Sequence, residues 1–458
     1  MNRVILGLLR GLLRVFFRRI EVVGVEHVPE TGAALFAPNH PNSLLDPLVL
    51  FASVSRPVAT LAAEPLFRKP VLGSVMRSIG AIPVYRREDT ADRTRNRDTF
   101  QAARAHLAQG GAIAIFPEGV SHDDPSLRPI RTGAARIALG VPGDIPVRLI
   151  PTGLFYTDRA RFRSSVLIRF GRPIIVTPAS DLTGGEPAAD RVQRVTAELE
   201  QALGRLVLQA DQRKALRLVA EAERIFTTAG EKPSGLKTVL LRRRRFVTEY
   251  GRLKEIDPVR VRDLEARVRR YQRWLRVSGL DHEQLPASGY RPLKVAGMMF
   301  VALIALLVLL PLALIGLAIH FPAWHLTRWM AHRMYARSGR GEDVLGTMKL
   351  SVGLVLYPLT WTLLAGAGWR AGGLRGALLA GAMGPLTGVF ALRFRYRFGQ
   401  LTTAIRGALL ALFGTRLYRR LLDERQRLRQ EFEALEASST GEHEPAPAEA
   451  ETPAETPP

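Results

Sequence analysis

The stretch LFAPNHPNSLLDPLVL, residues 35–50, sets one histidine, His40, and one aspartate, Asp46, between two apolar runs. An imidazole with an ordinary pKa of about 6.5 can take a proton from an alcohol at neutral pH. A carboxylate on its other ring nitrogen fixes the tautomer and stabilises the imidazolium. A His–Asp pair serves equally well as a structural contact, so other residues must decide. In GAIPVYRRED, Arg86 and Arg87 leave the end of an expected strand, where open α/β sheets hold ligands and a guanidinium can fork onto phosphate. In IFPEGVSH a strand runs into Pro117, Glu118 and Gly119, bringing backbone N–H groups and a carboxylate to the same sheet end. In RPIRTGAARIAL, Arg128 and Arg131 precede a helix capped by Thr132, an anion site at a helix N-terminus. Each segment alone is an ordinary turn or a solvated arginine. After successive strands of one domain, they describe a pocket with a base and several phosphate binders.

The elements that must position these residues follow from alternation. AALFAP, PVATLA, AIPVY, AIAIFP, VRLIPTGLF and SVLIRFG have strand character, with helical patterns between most of them. Residues 20–185 are therefore expected to form an α/β layered domain with a mixed sheet and flanking helices. Residues 1–19 carry Arg3, Arg10, Arg14 and Arg18 on one side of a helix, which suits a helix lying in a membrane interface. A helix packed on the domain is the alternative. Residues 186–290 have helical spacing and many charges. Residues 291–397 form a membrane region with two or three hydrophobic helices. In it Val295–Ile319 gives 25 uncharged positions, Leu350–Trp369 20 and Gly376–Leu392 17, against the roughly 20 that span a bilayer. Pro311, Pro358 and Pro385 predict kinks or breaks in them. Arginines stand on every flank, so the positive-inside rule gives no clean alternation, and re-entrant hairpins with all flanks cytoplasmic remain an alternative to three crossings. A charged amphipathic helix is expected over 398–436, and a Pro-, Glu- and Ala-rich disordered tail over 437–458.

The formal net charge of +23 over 458 residues implies an anionic partner. Because LRRRRF at 241–246 lies in a helical segment of a chain with membrane stretches, lipid headgroups fit that partner better than nucleic acid. The chain has no cysteine, which excludes a thiolate nucleophile and Cys-ligated zinc. It contains no Gly-x-Ser-x-Gly elbow, no P-loop and no His-Glu-x-x-His motif. His325 and His332, seven apart, are better explained as interfacial histidines beside Trp324 and Trp329 than as metal ligands. No metal and no cofactor are expected.

NHPNSLLD, GAIPVYRR, FPEG and LIPTGL, in this order and spacing, resemble the four motif blocks of the glycerolipid acyltransferase superfamily. The resemblance covers roughly residues 20–180. It implies transfer of a fatty acyl group from acyl-CoA or acyl carrier protein to glycerol 3-phosphate or a lysophospholipid, at the cytoplasmic face of a membrane. By that likeness His40 is the base and Asp46 its partner. Arg86, Glu118 and Gly119 bind the acceptor, Pro151 lies on the acyl-donor side, and Asn39, Arg87, Ser121, Arg128 and Arg131 join the substrate-binding positions. Two departures stand out. Five residues separate His40 from Asp46 where the family commonly has four, and Val120, Ser121 and His122 follow Glu-Gly where a Thr and an Arg are frequent. The missing arginine leaves phosphate binding to Arg128 or Arg131. The five-residue spacing, RTGAARIAL and the C-terminal membrane region resemble a branch that includes the fungal glycerol-3-phosphate/dihydroxyacetone-phosphate acyltransferases. The alternatives are acylation of another lysophospholipid and a catalytically silent lipid-binding membrane protein.

Overall fold

The structure, a computed structural model, describes residues 3–68, 73, 76–77, 81–84, 94–179, 182, 186–210, 213–226, 235–280, 292–412 and 416–440. The first part of the chain gives α1 (Arg3–Phe16), β1 (Arg19–Val23), β2 (Ala34–Pro38), α2 (Leu45–Ser53), β3 (Ala59–Ala63) and β4 (Ile82–Val84). It continues with α3 (Thr94–Ala108), β5 (Ala112–Ala114), α4 (Gly133–Leu139), β6 (Val147–Tyr156), β7 (Ser165–Phe170), β8 (Ile174–Val176) and α5 (Ala189–Leu206). The strands form one mixed sheet in the order β1-β7-β6-β2-β5-β3-β4, with β8 paired to the start of β6. β6 runs parallel to β2 and antiparallel to β7 and β8. β2 to β7 coincide with the six expected strands. β1 and β8 were not among them: RIEVV alternates charge with apolar residues directly after a helix, and β8 follows the end of β7 after only three residues, Gly171–Pro173.

β2 lies in the middle and is buried throughout. Its side chains alternate between faces, as a strand requires. Phe36 joins Val49, Ile150 and Ile168 under α1 and α2, whereas Leu35 and Ala37 join Ile113, Ile137 and Leu203 under α3, α4 and α5. α1 turns Leu9, Leu12, Leu13 and Phe16 onto the first of these cores. Of the two expectations for this helix, packing on the domain describes that face. Arg10 also donates from Nε to the Ala52 carbonyl at 3.0 Å.

Two compact units divide the chain. Residues 1–209, 235–237 and 312–391 form one, and residues 210–234, 238–311 and 392–458 the other. The second unit holds α6 (Arg213–Phe226), α7 (Leu236–Ile256), α8 (Pro258–Ser278) and, after the apolar region, α11 (Arg416–Thr440). α8 starts where the Asp257 side chain accepts the Arg260 N–H with Pro258 in the first turn, and stops at left-handed Gly279. Tyr271 and Leu275 of α8 pack with Leu421, Leu428 and Phe432 of α11. Arg267 forks onto Glu424 at 2.9 Å and Glu431 at 2.6 Å. α11 runs to Thr440, so residues 437–440, expected in the disordered tail, are helical: no breaker precedes Gly441. Residues 441–458 lie outside the described residues.

Between them come α9 (Pro292–Ser338) and α10 (Leu345–Leu412). Both are long and apolar enough to cross a membrane. α10 is broken at Gly372 and Gly373, the latter at φ 58, so the second and third apolar stretches become two arms. A Cβ added to Gly384 would lie 2.5 Å from Trp361, and one on Gly368 would meet the Gly376 carbonyl. In one straight helix, residues 361 and 384 would be about 35 Å apart. The arms therefore fold back as a hairpin packed through small residues. α10 also runs through residue 397 without interruption, so the charged helix expected from 398 is split between the end of α10 and α11.

Candidate active site

Parallel pairing of β2 with β5 sets Phe36 level with Ala114. The residues just beyond the two carboxyl ends therefore meet at one edge of the sheet. His40 stacks on Phe116 with ring centroids 4.0 Å apart. Its N–H donates to Glu118 Oε1 at 2.7 Å, and its carbonyl accepts the His122 N–H at 3.2 Å.

The extra residue between His40 and Asp46 is absorbed by a tight turn. Ser43 takes a left-handed φ of 46°, and α2 begins at Leu45, with Asp46 in its first turn. Asp46 is fully buried. Its Oδ2 accepts from His40 Nδ1 at 2.8 Å and Asn42 N–H at 2.7 Å, and its Oδ1 accepts the Tyr156 hydroxyl at 2.7 Å. A carboxylate has no proton to give, so Nδ1 carries the hydrogen, and in the neutral ring Nε2 keeps its lone pair. Burial, then the Asp46 charge and hydrogen bond, push the Tyr156 phenol well above its ordinary pKa, so it stays a donor.

Glu118 is the second centre. Its Oε2 binds His122 Nε2 and accepts the Arg128 N–H at 3.1 Å. Burial pushes this carboxyl up, but His122 and the backbone donors of Arg128 and His40 outweigh it and hold the group below the usual carboxylate range. Gly119 follows at φ 78, and a Cβ there would lie 2.7–2.9 Å from the Arg131 side chain. Only glycine lets Arg131 lie across this turn. Arg131 is exposed, with no ion-pair partner among the described residues.

The remaining expected site residues divide. Arg128 Nε is paired with Asp124 at 2.6 Å. Asn39 exchanges two hydrogen bonds with the backbone of Leu154, tying the end of β2 to β6. Pro151 is buried inside β6 opposite Ala37. Thr132 stands at the start of α4 without a side-chain capping bond, unlike the cap expected there. Arg86 and Arg87 lie outside the described residues. Among the described residues no group of three or more His, Cys, Asp or Glu side chains could hold a metal ion.

Several neighbours of the site were not singled out from sequence. His122 had a signal, its spacing of four from Glu118. Tyr156 had a weaker one, alternation along β6. Residues 340–349 had none. The Ser121 hydroxyl donates to Asp343 Oδ2 at 2.6 Å and accepts from the Arg340 guanidinium at 3.1 Å. Glu342 N–H donates to Asp123 Oδ2 at 3.2 Å, Leu44 N–H to Thr347 Oγ1 at 3.1 Å, and Lys349 Nζ to the Ala160 carbonyl at 2.6 Å. The junction between α9 and α10 is thus fastened onto the loops around His40.

Residues 19–153 match the acyltransferase family model, and residues 218–438 match that of the glycerol-3-phosphate acyltransferase 2 C-terminal domain. The chain is 30% identical over 285 residues to glycerol-3-phosphate O-acyltransferase 2 of Saccharomyces cerevisiae, covering 59% of this chain and 38% of that protein. It is 24% identical over 452 residues to glycerol-3-phosphate O-acyltransferase 1 of the same yeast, covering 77% and 59%. The 1-acyl-sn-glycerol-3-phosphate acyltransferase of Borreliella burgdorferi is 28% identical over 151 residues, covering 33% and 58%. In each case the match spans less than two thirds of the relative's length. The crystal structure of the 1-acyl-sn-glycerophosphate acyltransferase of Thermotoga maritima aligns with 43% of this chain and 77% of its own, at 20% identity and a TM-score of 0.33. Through both its sheet domain and its helical C-terminal region, the chain matches the glycerolipid acyltransferase superfamily.

Proposed function

We propose that this protein transfers a fatty acyl group from acyl-CoA, or from acyl carrier protein, to the hydroxyl of glycerol 3-phosphate or 1-acylglycerol 3-phosphate at the cytoplasmic face of a membrane. The observation that carries it is the His40 ring, set by buried Asp46 with Nε2 free to act as base. Nε2 takes the hydroxyl proton as the acceptor oxygen attacks the thioester carbonyl, and Asp46 stabilises the imidazolium. The carbon–sulfur bond then breaks, and the imidazolium returns the proton to the leaving thiolate. A thioester is already activated, so an in-line acceptor and a base suffice without a covalent intermediate. Membrane attachment is supported by two long apolar helices with exposed side chains such as Leu307, Val308, Leu363 and Leu379, and by the arginines at their flanks.

The experiment is transfer from labelled palmitoyl-CoA by purified protein, offered both acceptors in parallel, with His40→Ala as the control. Product with one acceptor, abolished in a folded His40→Ala variant, is the expected result. Refusal of both acceptors, with acyl carrier protein as donor as well, would sink it.

A further inference from the structure

Resting on the acyl-transfer function proposed above, we infer that Arg340, supplied by the junction between α9 and α10, binds the phosphate of the acceptor together with Arg131. The two guanidinium groups flank the three-residue loop Gly119–Ser121 from opposite ends. Arg131 lies across Gly119, where any side chain would displace it. Arg340 reaches the other end, donating to the Ser121 hydroxyl at 3.1 Å. Glu118, at the head of this loop, holds the His40 N–H, and His122, directly after Ser121, holds the His40 carbonyl. An anion bridging the two cations therefore sits beside the base.

The charge balance favours a ligand on Arg340. Its side chain is 50% exposed, while that of Asp343 is 2% exposed. The closest approach of the two is 3.9 Å, beyond hydrogen-bond distance, and Asp343 Oδ2 is occupied by the Ser121 hydroxyl at 2.6 Å. Asp343 orients the arginine through Ser121 without saturating it. The guanidinium keeps donors with no partner among the described residues. Two planar forks on one loop match a phosphate monoester, which offers several oxygens and about two negative charges. The loop itself carries Val120 and Ser121 and no cation, so the cations come from the start of α4 and from the apolar region.

The test measures binding and turnover separately, in full-length protein held in lipid nanodiscs. Binding of glycerol 3-phosphate and of 1-oleoylglycerol 3-phosphate is titrated for wild type, Arg340→Gln, Arg340→Lys and His40→Ala, with palmitoyl-CoA titrated alongside. The expected result is a tenfold or greater loss of acceptor affinity in Arg340→Gln, a smaller loss in Arg340→Lys, and palmitoyl-CoA affinity within twofold of wild type. Acceptor affinity retained in Arg340→Gln, parallel loss of both ligands, or no acceptor binding by wild type would overturn it. Acceptor binding that depends on Arg340 without any acyl transfer would instead overturn the proposed function and leave this inference standing.

Discussion

Among the side chains of the site, Asp46 shows most directly how position decides role. Three donors converge on one buried carboxylate, and one of them, Tyr156, comes from a strand far along the chain. Tyr156→Phe removes a hydrogen bond to a charged group, so the fold is expected to lose about 1.5–3 kcal/mol, read as a lower melting temperature. On the proposed role of His40 as base, His40→Ala is expected to lower kcat about 10²- to 10⁴-fold, and because Asp46 also loses its bond to Nδ1, melting is expected to fall as it does for Tyr156→Phe. Glu118 adds a pH dependence. Its pKa is depressed on folding, so its stabilisation is full above the ordinary value of 4.5 and is lost as pH falls through the lower folded value. Comparing the melting of wild type and Glu118→Gln from neutral pH downward should show a gap at neutral pH that closes below about pH 4.5. A gap constant across that range would contradict the depressed value. His40, Asp46 and Glu118 were legible because their side-chain types limit what they can do in a turn after a strand. Tyr156 and Arg340 were not, because their partners are set by sheet register and by a contact across more than two hundred residues.

Among elements, the strands with two buried faces announced themselves as apolar runs, and β2 to β7 follow those runs. β1 stayed hidden because Arg19 and Glu21 alternate with its apolar residues and pair with each other at 2.8 Å. The start of α10 could not be placed from periodicity, since what fixes it is a close approach. A Cβ on Gly346 would lie 2.8 Å from the Arg159 carbonyl, 2.9 Å from Leu45 and 3.1 Å from Asn42 Oδ1. Gly346→Ala is therefore expected to push α10 away from the turn that carries Asp46, at a cost of about 1–3 kcal/mol. Thermal unfolding with a parallel turnover assay checks this, and unchanged values in both would show that the contact gives way freely. Composition located the apolar stretches. It did not show that the second and third are the arms of one hairpin, because that depends on small residues at Gly368, Gly376 and Gly384 meeting across the turn.

For the whole molecule, the sheet domain and the apolar region are distant in sequence and joined at the candidate site. The overall plan, a layered domain followed by charged helices and an apolar region, was readable from changes in pattern along the chain. How the apolar region engages the site was not. The attachment of residues 340–349 to the loops around His40 has a consequence for topology, because a junction bonded to the sheet domain must share its compartment. No apolar stretch separates that domain from α6, α7 and α8 along the chain, and α11 packs with α6 and α8. On the proposed membrane attachment, these connections predict that both ends of the apolar region face the same aqueous phase as the junction. The cysteine-free sequence makes this directly measurable. Single cysteines at Val277→Cys, Arg337→Cys and Gln426→Cys should all react with an impermeant thiol reagent from one side of sealed vesicles. Reaction of Arg337→Cys from the opposite side to the other two would give α9 a crossing of its own and detach the junction from the reaction centre.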